Sequence, residues 1–121
     1  MAVRRFFEIE QRNDITILLL ISENDFEELL VNDLQRAIVA FVEQERPHKL
    51  LVDFVNVRRF SSETINGLIR ARRRLNEYQA KMCLCSMRPE IHDVFRMMRL
   101  DGTVFDIVPT RNEALQYLVG P

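Results

Sequence analysis

The stretch from Lys49 to Leu68, KLLVDFVNVRRFSSETINGL, joins a strand-like run to a pattern typical of a helix. Its first half, KLLVDFVNV, is apolar enough to predict a central strand that is covered on both faces. Its second half, with two serines and a glutamate at its start, predicts a helix over residues 61–79. The apolar side of this helix would consist of Ile65, Leu68, Ile69, Leu75 and Tyr78.

Upstream, two short runs predict a β-hairpin. RRFFEIEQ (residues 4–11) alternates modestly, and ITILLLI (residues 15–21) is short enough for a buried strand, with the turn-like QRND between them. Residues 22–45 then predict a helix, because they open with good capping residues, carry acid in the first turn and end before Pro47. Its apolar positions are Leu30, Leu34, Ala37, Ile38, Phe41 and Val42.

Downstream, strands and helices continue to alternate. KMCLCS (81–86) and VFDIV (104–108) predict strands, RPEIHDVFRMMRL (88–100) predicts a helix with Pro89 in its first turn, and TRNEALQYL (110–118) predicts a helix capped by Thr110. The order β-β-α-β-α-β-α-β-α predicts one α/β domain over residues 1–121, with a mixed, mostly parallel sheet and helices packed on it. The helix at 88–100 would turn inward Ile91, Val94, Phe95 and Met98.

Length and composition limit the class of protein. The 121 residues are 47% hydrophobic and 29% charged, which is typical of a compact globular domain rather than a disordered chain. No apolar run approaches the roughly 20 residues that span a bilayer, and the N-terminal stretch lacks the apolar core of a signal peptide. We therefore expect a cytoplasmic protein with no membrane partner.

The charges are unevenly distributed along the chain. The net charge is −1, yet residues 1–57 carry −5 and residues 58–121 carry +4. Few aromatic side chains that could stack on bases accompany the arginines of the 61–79 helix, so no DNA partner is expected. An acidic protein or an anionic ligand would suit this basic region. The arginines around the serine pair are Arg58, Arg59, Arg70, Arg72, Arg73 and Arg74.

The sequence offers little catalytic chemistry. With only three glycines it contains neither of the glycine-rich phosphate-binding loops, and it has no nucleophile-elbow pattern. His48 and His92 lack partners at metal-ligand spacing. A phosphoaspartate receiver domain would need a lysine after the last strand, where this chain has Thr110. We therefore predict no enzyme, no catalytic residue, no metal and no cofactor.

The two cysteines, Cys83 and Cys85, lie two residues apart on a predicted strand and so share one face of it. No second pair of sulfur ligands accompanies them, and a lone Cys-x-Cys pattern is a weak metal signal. Small buried thiols that pack in a strand are the favoured interpretation.

The Ser-Ser-Glu sequence at residues 61–63 supports two interpretations. Either serine can cap the helix, and Glu63 in the first turn complements the helix dipole. The same N-terminus would also stabilise a covalent phosphate, which adds a charge of about −1.5 to −2 and would face Arg58 and Arg59. The residues alone leave both interpretations open.

Read together, residues 50–118 resemble a STAS domain, the module of bacterial anti-sigma factor antagonists. LLVDFVNV reproduces the family's strand, RPEIHDVFRMMRLDG matches a later family pattern, and the pair Glu113 and Ala114 matches the family's ending. The resemblance implies a STAS-like fold and a non-enzymatic signalling protein that regulates transcription through protein–protein interaction and phosphorylation.

The resemblance also implies a site. Counted from Asp53, Ser61 falls on the family's motif aspartate, Ser62 on its first serine and Glu63 on its second hydroxyl position, while Thr64 replaces a glycine. Ser62 is the first candidate phosphoacceptor and Ser61 the second, and Glu63 would partly mimic a phosphate. The implied partner-binding residues are Asn56, Arg58, Arg59, Phe60, Ser61, Ser62, Glu63, Thr64 and Arg70.

By this resemblance the protein is an anti-sigma factor antagonist-like module that binds an anti-sigma factor or serine kinase-like partner through Ser61–Thr64. Two alternatives remain open. One is a sensor of a small anionic ligand, a nucleotide or a lipid, that uses the same helix N-terminus. The other is a structural subunit of a signalling complex in which Glu63 has replaced regulation. The oligomeric state is also open, a dimer included.

Overall fold

The computed structural model describes residues 6–21, 28–58 and 61–119, without the side chains of helical residues 28–33. The strands are β1 (Phe7–Arg12), β2 (Ile15–Leu20), β3 (Lys49–Asp53), β4 (Lys81–Cys85) and β5 (Asp106–Val108). The helices are α1 (Glu28–Glu45), α2 (Ser62–Glu77), α3 (Pro89–Met97) and α4 (Arg111–Val119). The element order therefore confirms the predicted β-β-α-β-α-β-α-β-α chain.

The five strands form one sheet in the order β1-β2-β3-β4-β5, with β1 and β5 at its edges. β1 runs antiparallel to β2, and all the other neighbouring pairs are parallel. Each parallel strand lies one place further along the sheet, so right-handed crossovers put α1, α2 and α3 on the same face. The fourth helix is the last element and does not connect two parallel strands, so the crossover rule does not apply to it. It covers the opposite face of the sheet.

Alternating strand residues divide the core into two layers. On the side of α1, α2 and α3, the buried strand residues are Phe7, Leu18, Leu20, Leu50, Val52, Met82 and Leu84. On the side of α4, the buried cluster is Ile15, Ile17, Leu51, Cys83, Cys85, Ala114 and Leu118. The predicted central strand β3 is thus covered on both faces.

The end of the central strand differs from the sequence prediction for a local reason. β3 ends at Asp53 rather than Val57, because Phe54 to Val57 form a turn closed by the Val57 N–H and the Phe54 carbonyl at 2.9 Å. The predicted starts of the first strand and of the first long helix, residues 4–5 and 22–27, lie outside the described residues. Thr110 caps α4 as predicted, because its Oγ1 accepts the Glu113 N–H at 3.1 Å.

The inward face predicted for the third helix is partly wrong. Ile91 and Phe95 are buried, and Phe95 contacts the rings of Phe54 and Phe105, but Val94 is 40% and Met98 46% exposed. α3 is only nine residues long, and two buried positions one turn apart are enough to hold it against the sheet. Among the described residues, no helix combines the length and the apolar character that a membrane span requires.

Gly67 lets α1 and α2 approach each other closely. A Cβ atom built at Gly67 would lie 2.7 Å from Cγ and 3.0 Å from Cα of Gln35 on α1, closer than side chains ordinarily pack. The second of these contacts is to backbone, which a side-chain rotation cannot relieve. Any larger residue at position 67 would therefore push the two helices apart.

We expect Gly67→Ala to destabilise the domain by about 1 kcal/mol. The substitution gains about 1 kcal/mol of helix propensity, but overpacking a helix contact costs about 1–3 kcal/mol. Urea unfolding should be compared with Asn66→Ala, the exposed neighbouring position, which should be neutral or stabilising. Equal stability of the two variants would contradict the close contact.

Cys83 and Cys85 are free and buried in the layer beneath α4, as the sequence favoured. Burial in this apolar layer raises the pKa of each thiol to about 12, from an ordinary value of 9.0. The reactive form of cysteine is the thiolate, so both side chains should be chemically inert in the folded protein.

At pH 8 we expect the folded protein to react with a thiol reagent at least about a thousandfold more slowly than the unfolded chain, since its thiolate fraction is lower by that factor. The free energy of unfolding should also fall as the pH rises above about 9, because unfolded thiols release protons that folded thiols retain. Labelling kinetics with and without urea measure the first effect. Fast labelling of the folded protein would contradict the burial.

Candidate functional site

The N-terminus of α2 is organised by Ser61. Ser61 has extended backbone angles, φ −108° and ψ 157°, and its Oγ accepts the Thr64 N–H at 3.3 Å. Its carbonyl oxygen accepts from the N–H groups of Thr64 and Ile65. The side chain of Ser61 also lies 3.2 Å from the Thr64 hydroxyl. The structure therefore gives the capping role to Ser61.

The next three residues have different environments. Ser62 and Glu63 are exposed at the start of the helix, and the Ser62 hydroxyl lies 3.5 Å from a carboxylate oxygen of Glu63. Thr64 is buried, because it turns inward beneath the cap. The predicted contact residue Thr64 thus supports the helix end from inside and does not offer its side chain to a partner in this conformation.

The loop from β3 to α2 alternates buried and exposed residues. Phe54 and Val57 are fully buried, whereas Val55 between them is 58% exposed and Asn56 is also exposed. The Phe54 N–H bonds to the carbonyl of Cys85, which anchors the loop to the end of β4. Of the predicted contact residues in this loop, Asn56 and Arg58 are exposed, while Arg59 and Phe60 lie outside the described residues.

An open groove of about 540 Å³ lies beside this loop at the edge of the sheet where β2, β3 and β4 end. Ligand and partner sites in parallel sheets commonly occupy this edge. Only Asn56 and Arg58 of its lining residues were predicted from the sequence as contact residues. Others could have been found from the tendency of residues directly after parallel strands to gather at one edge of the sheet. The groove is lined by Glu8, Leu19, Ile21, Val55, Asn56, Arg58 and Arg88.

Much of the arginine cluster on α2 serves to hold that helix. Arg74 forms ion pairs with Glu43 of α1 at 2.7 Å and with Glu77 at 3.1 Å. Arg72 donates to the carbonyl of Ala80 at 3.4 Å. The predicted contact residue Arg70 is exposed and donates to the Gln35 side chain at 3.3 Å, so it belongs to the α1–α2 contact as well as to the surface.

Arg111, the first residue of α4, links the loop to the rest of the sheet. Its Nε donates to Oδ2 of Asp53 at 2.8 Å, and a second nitrogen donates to Glu10 of β1 at 3.0 Å. Burial opposes the charged form of Arg111, but the hydrogen bonds to both carboxylates outweigh burial and raise its pKa. The hydrogen bond from Arg111 lowers the pKa of Glu10.

The other polar residues do not assemble a reactive centre in the described part of the chain. No three His, Cys, Asp or Glu side chains there are grouped as metal ligands. His48 is exposed, and His92 is half-buried with its Nε2 2.8 Å from a carboxylate oxygen of Asp101. What the described residues do assemble is an exposed hydroxyl and carboxylate at a helix end, near a groove lined by both apolar and charged side chains.

Residues 6–114 match the family described as the STAS domain. A Thermotoga maritima protein described as an anti-sigma factor antagonist has the same fold, with a TM-score of 0.84 at 14% identity over 98% of both chains. An anti-sigma-factor antagonist (STAS) domain protein from Planctomyces limnophilus gives 0.81 at 24% identity, over 94% of this chain and 98% of its own. The Bacillus cell fate determinant SpoIIAA in its phosphorylated form gives a TM-score of 0.64 at 16% sequence identity, over 92% of this chain and 97% of its own. A comparison with curated proteins found no match.

The family match and the structural similarities confirm the predicted STAS-like fold.

We expect the two serines to differ in their effect on stability. Ser61→Ala should lower the free energy of unfolding by about 1 kcal/mol, since it removes the side-chain cap of α2. Ser62→Ala removes an exposed hydroxyl and should change stability by no more than about 0.5 kcal/mol. Chemical denaturation of both variants checks this, and a larger loss for Ser62→Ala would contradict the assignment of the cap.

Proposed function

Because this chain belongs to the STAS domain family, whose members are regulatory domains without enzymatic activity, we propose that it is an anti-sigma factor antagonist-like module that acts in the cytoplasm. Its partner is an anti-sigma factor or a related serine kinase. The contact surface comprises the exposed start of α2 and the adjoining groove. Phosphorylation of Ser62 regulates the contact.

The observation that carries this proposal is the division of roles between the two serines. Ser61 is engaged by the backbone of the helix it caps, so its modification would cost the cap. Ser62 is exposed one residue later, and its hydroxyl contributes nothing to the cap. A kinase therefore reaches Ser62 without opening the helix. A structural relative solved in a phosphorylated form supports phosphorylation as the means of regulation.

Glu63 changes how such a switch operates. Its carboxylate is present whether or not Ser62 is modified, and it lies close to the Ser62 hydroxyl. A phosphate would add about −1.5 to −2 to this existing charge. Phosphorylation of Ser62 would thus add to the negative charge that Glu63 already places at the helix end. The partner must bind the helix end when it carries the Glu63 carboxylate alone, and must bind it less well when it also carries the phosphate.

The groove supplies the second half of the contact surface. Its lining combines the apolar side chains of Leu19, Ile21 and Val55 with two arginines, Arg58 and Arg88, and one carboxylate, Glu8. Such a groove suits a partner segment that carries an apolar side chain next to a carboxylate. The alternative is a small anionic ligand at the N-terminus of α2, and the neighbouring groove, which contains Arg58, has a volume within the range of small-molecule sites.

The experiment combines the purified protein with an anti-sigma-type serine kinase from the same organism, with and without ATP. We expect an 80 Da increment on Ser62 in the presence of ATP, and a tenfold or greater loss of kinase binding for Ser62→Asp, because the added charge lies at the contact surface. Mass spectrometry locates the increment, and isothermal titration calorimetry measures the affinity.

Three variants serve as comparisons in this experiment. Ser62→Ala should bind like the wild type and accept no phosphate, Arg88→Glu should bind more weakly, and Glu90→Gln, an exposed change on the neighbouring helix, should bind normally. Equal binding by Ser62→Ala and Ser62→Asp, or an increment at a residue other than Ser62, would show that the proposed switch is wrong.

A further inference from the structure

We infer that Arg111 is a positioning residue for the contact surface: through the buried carboxylate of Asp53, it fixes the loop that presents Val55 and Asn56. The inference rests on the proposed function, because that function supplies the partner that would bind this surface. Its geometric basis is a chain of hydrogen bonds from α4 to the loop. No contact of Arg111 with the partner is required.

The first link is the carboxylate of Asp53, which is only 2% exposed at the end of β3. One of its oxygens accepts the Val55 N–H at 2.9 Å, and the other accepts Nε of Arg111 at 2.8 Å. One buried carboxylate therefore holds a loop amide with one oxygen and a helix N-terminus with the other. Hydrogen bonds to an ionised acceptor are about twice as strong as neutral ones.

The second link is the dependence of that carboxylate on its cation. A buried carboxylate without a partner either takes up a proton or moves into water, since an isolated charge is very costly in a protein interior. Without Arg111, one oxygen of this carboxylate loses its donor, and a carboxylate that turns toward water gives up its bond to Val55. A docked Arg111 therefore holds the carboxylate where it accepts from the loop amide.

The third link is the loop itself. Phe54 and Val57 are buried on either side of Val55 and Asn56 and anchor both ends of this loop. Between these anchors the backbone of Val55 and Asn56 can still rotate, and the hydrogen bond from the Val55 N–H to Asp53 restricts that rotation. Val55 and Asn56 both line the groove, so the shape of the groove depends on it.

The fourth link adds β1 to the same assembly. Arg111 also donates to Glu10, which lies two residues from Glu8 and on the same side of β1. Glu8 forms part of the groove's wall. One guanidinium thus ties both the loop and the strand that border the groove, which a lysine with a single ammonium group would do less well.

The test measures the loop and the contact surface separately. Arg111→Gln should speed hydrogen exchange of the Val55 N–H at least tenfold and shift its amide resonance, and it should weaken kinase binding at least fivefold while the domain remains folded. Arg111→Lys should recover part of both effects. The matched control is Arg12→Gln, which removes an arginine that bonds Glu10 at 3.3 Å without touching Asp53.

Each outcome decides a different question. Unchanged Val55 exchange in folded Arg111→Gln or Arg111→Lys would overturn the positioning role, and so would an equal change in Arg12→Gln. Altered Val55 exchange with unchanged binding would also overturn it, while leaving the proposed function intact. If the wild type fails to bind the kinase, the proposed function fails, and the Val55 measurement still decides whether Arg111 fixes the loop. Should Arg111→Gln not fold, Arg111→Lys provides the same measurements.

Discussion

A carboxylate that is closed off from water at the end of a buried strand needs a cation beside it, and in this domain that requirement ties the helix on one face of the sheet to the central strand. Asp53 ends the central strand β3, and its cation, Arg111, begins the helix that covers the second face. Thr110 caps the first turn of α4, Ala114 and Leu118 pack the helix on the sheet, and the ion pair joins its first residue to the end of β3.

The start of α2 divides its tasks in a similar way. Structural work falls to Ser61 and Thr64, which bond to each other and to the backbone, while Ser62 and Glu63 remain at the surface. Because the groups that build the helix end are separate from the groups at its surface, charge added at Ser62 would cost little in folding free energy. The proposed regulation of this surface depends on that separation.

The order of the strands and helices followed from the sequence because each element carried its own pattern. The run KLLVDFVNV predicted a strand buried on both faces, and Thr110 predicted the start of α4. Features that depend on tertiary contacts could not be predicted from the sequence. The groove joins residues from four separate segments, Arg111 meets Asp53 across 58 positions of sequence, and Val94 and Met98 have an inward spacing but no surface to cover. Of the two adjacent serines, only packing decides which one turns inward.

The short, charged edge of the sheet affects how this domain behaves at high concentration. β1 is an edge strand, and an open strand edge invites pairing with the same edge of another molecule. Here three of its six residues, Glu8, Glu10 and Arg12, are charged and exposed, and charged side chains on an edge strand disfavour such pairing because they would have to lose water. The edge thereby resists the addition of strands from other molecules, which keeps the domain dispersed when it is concentrated.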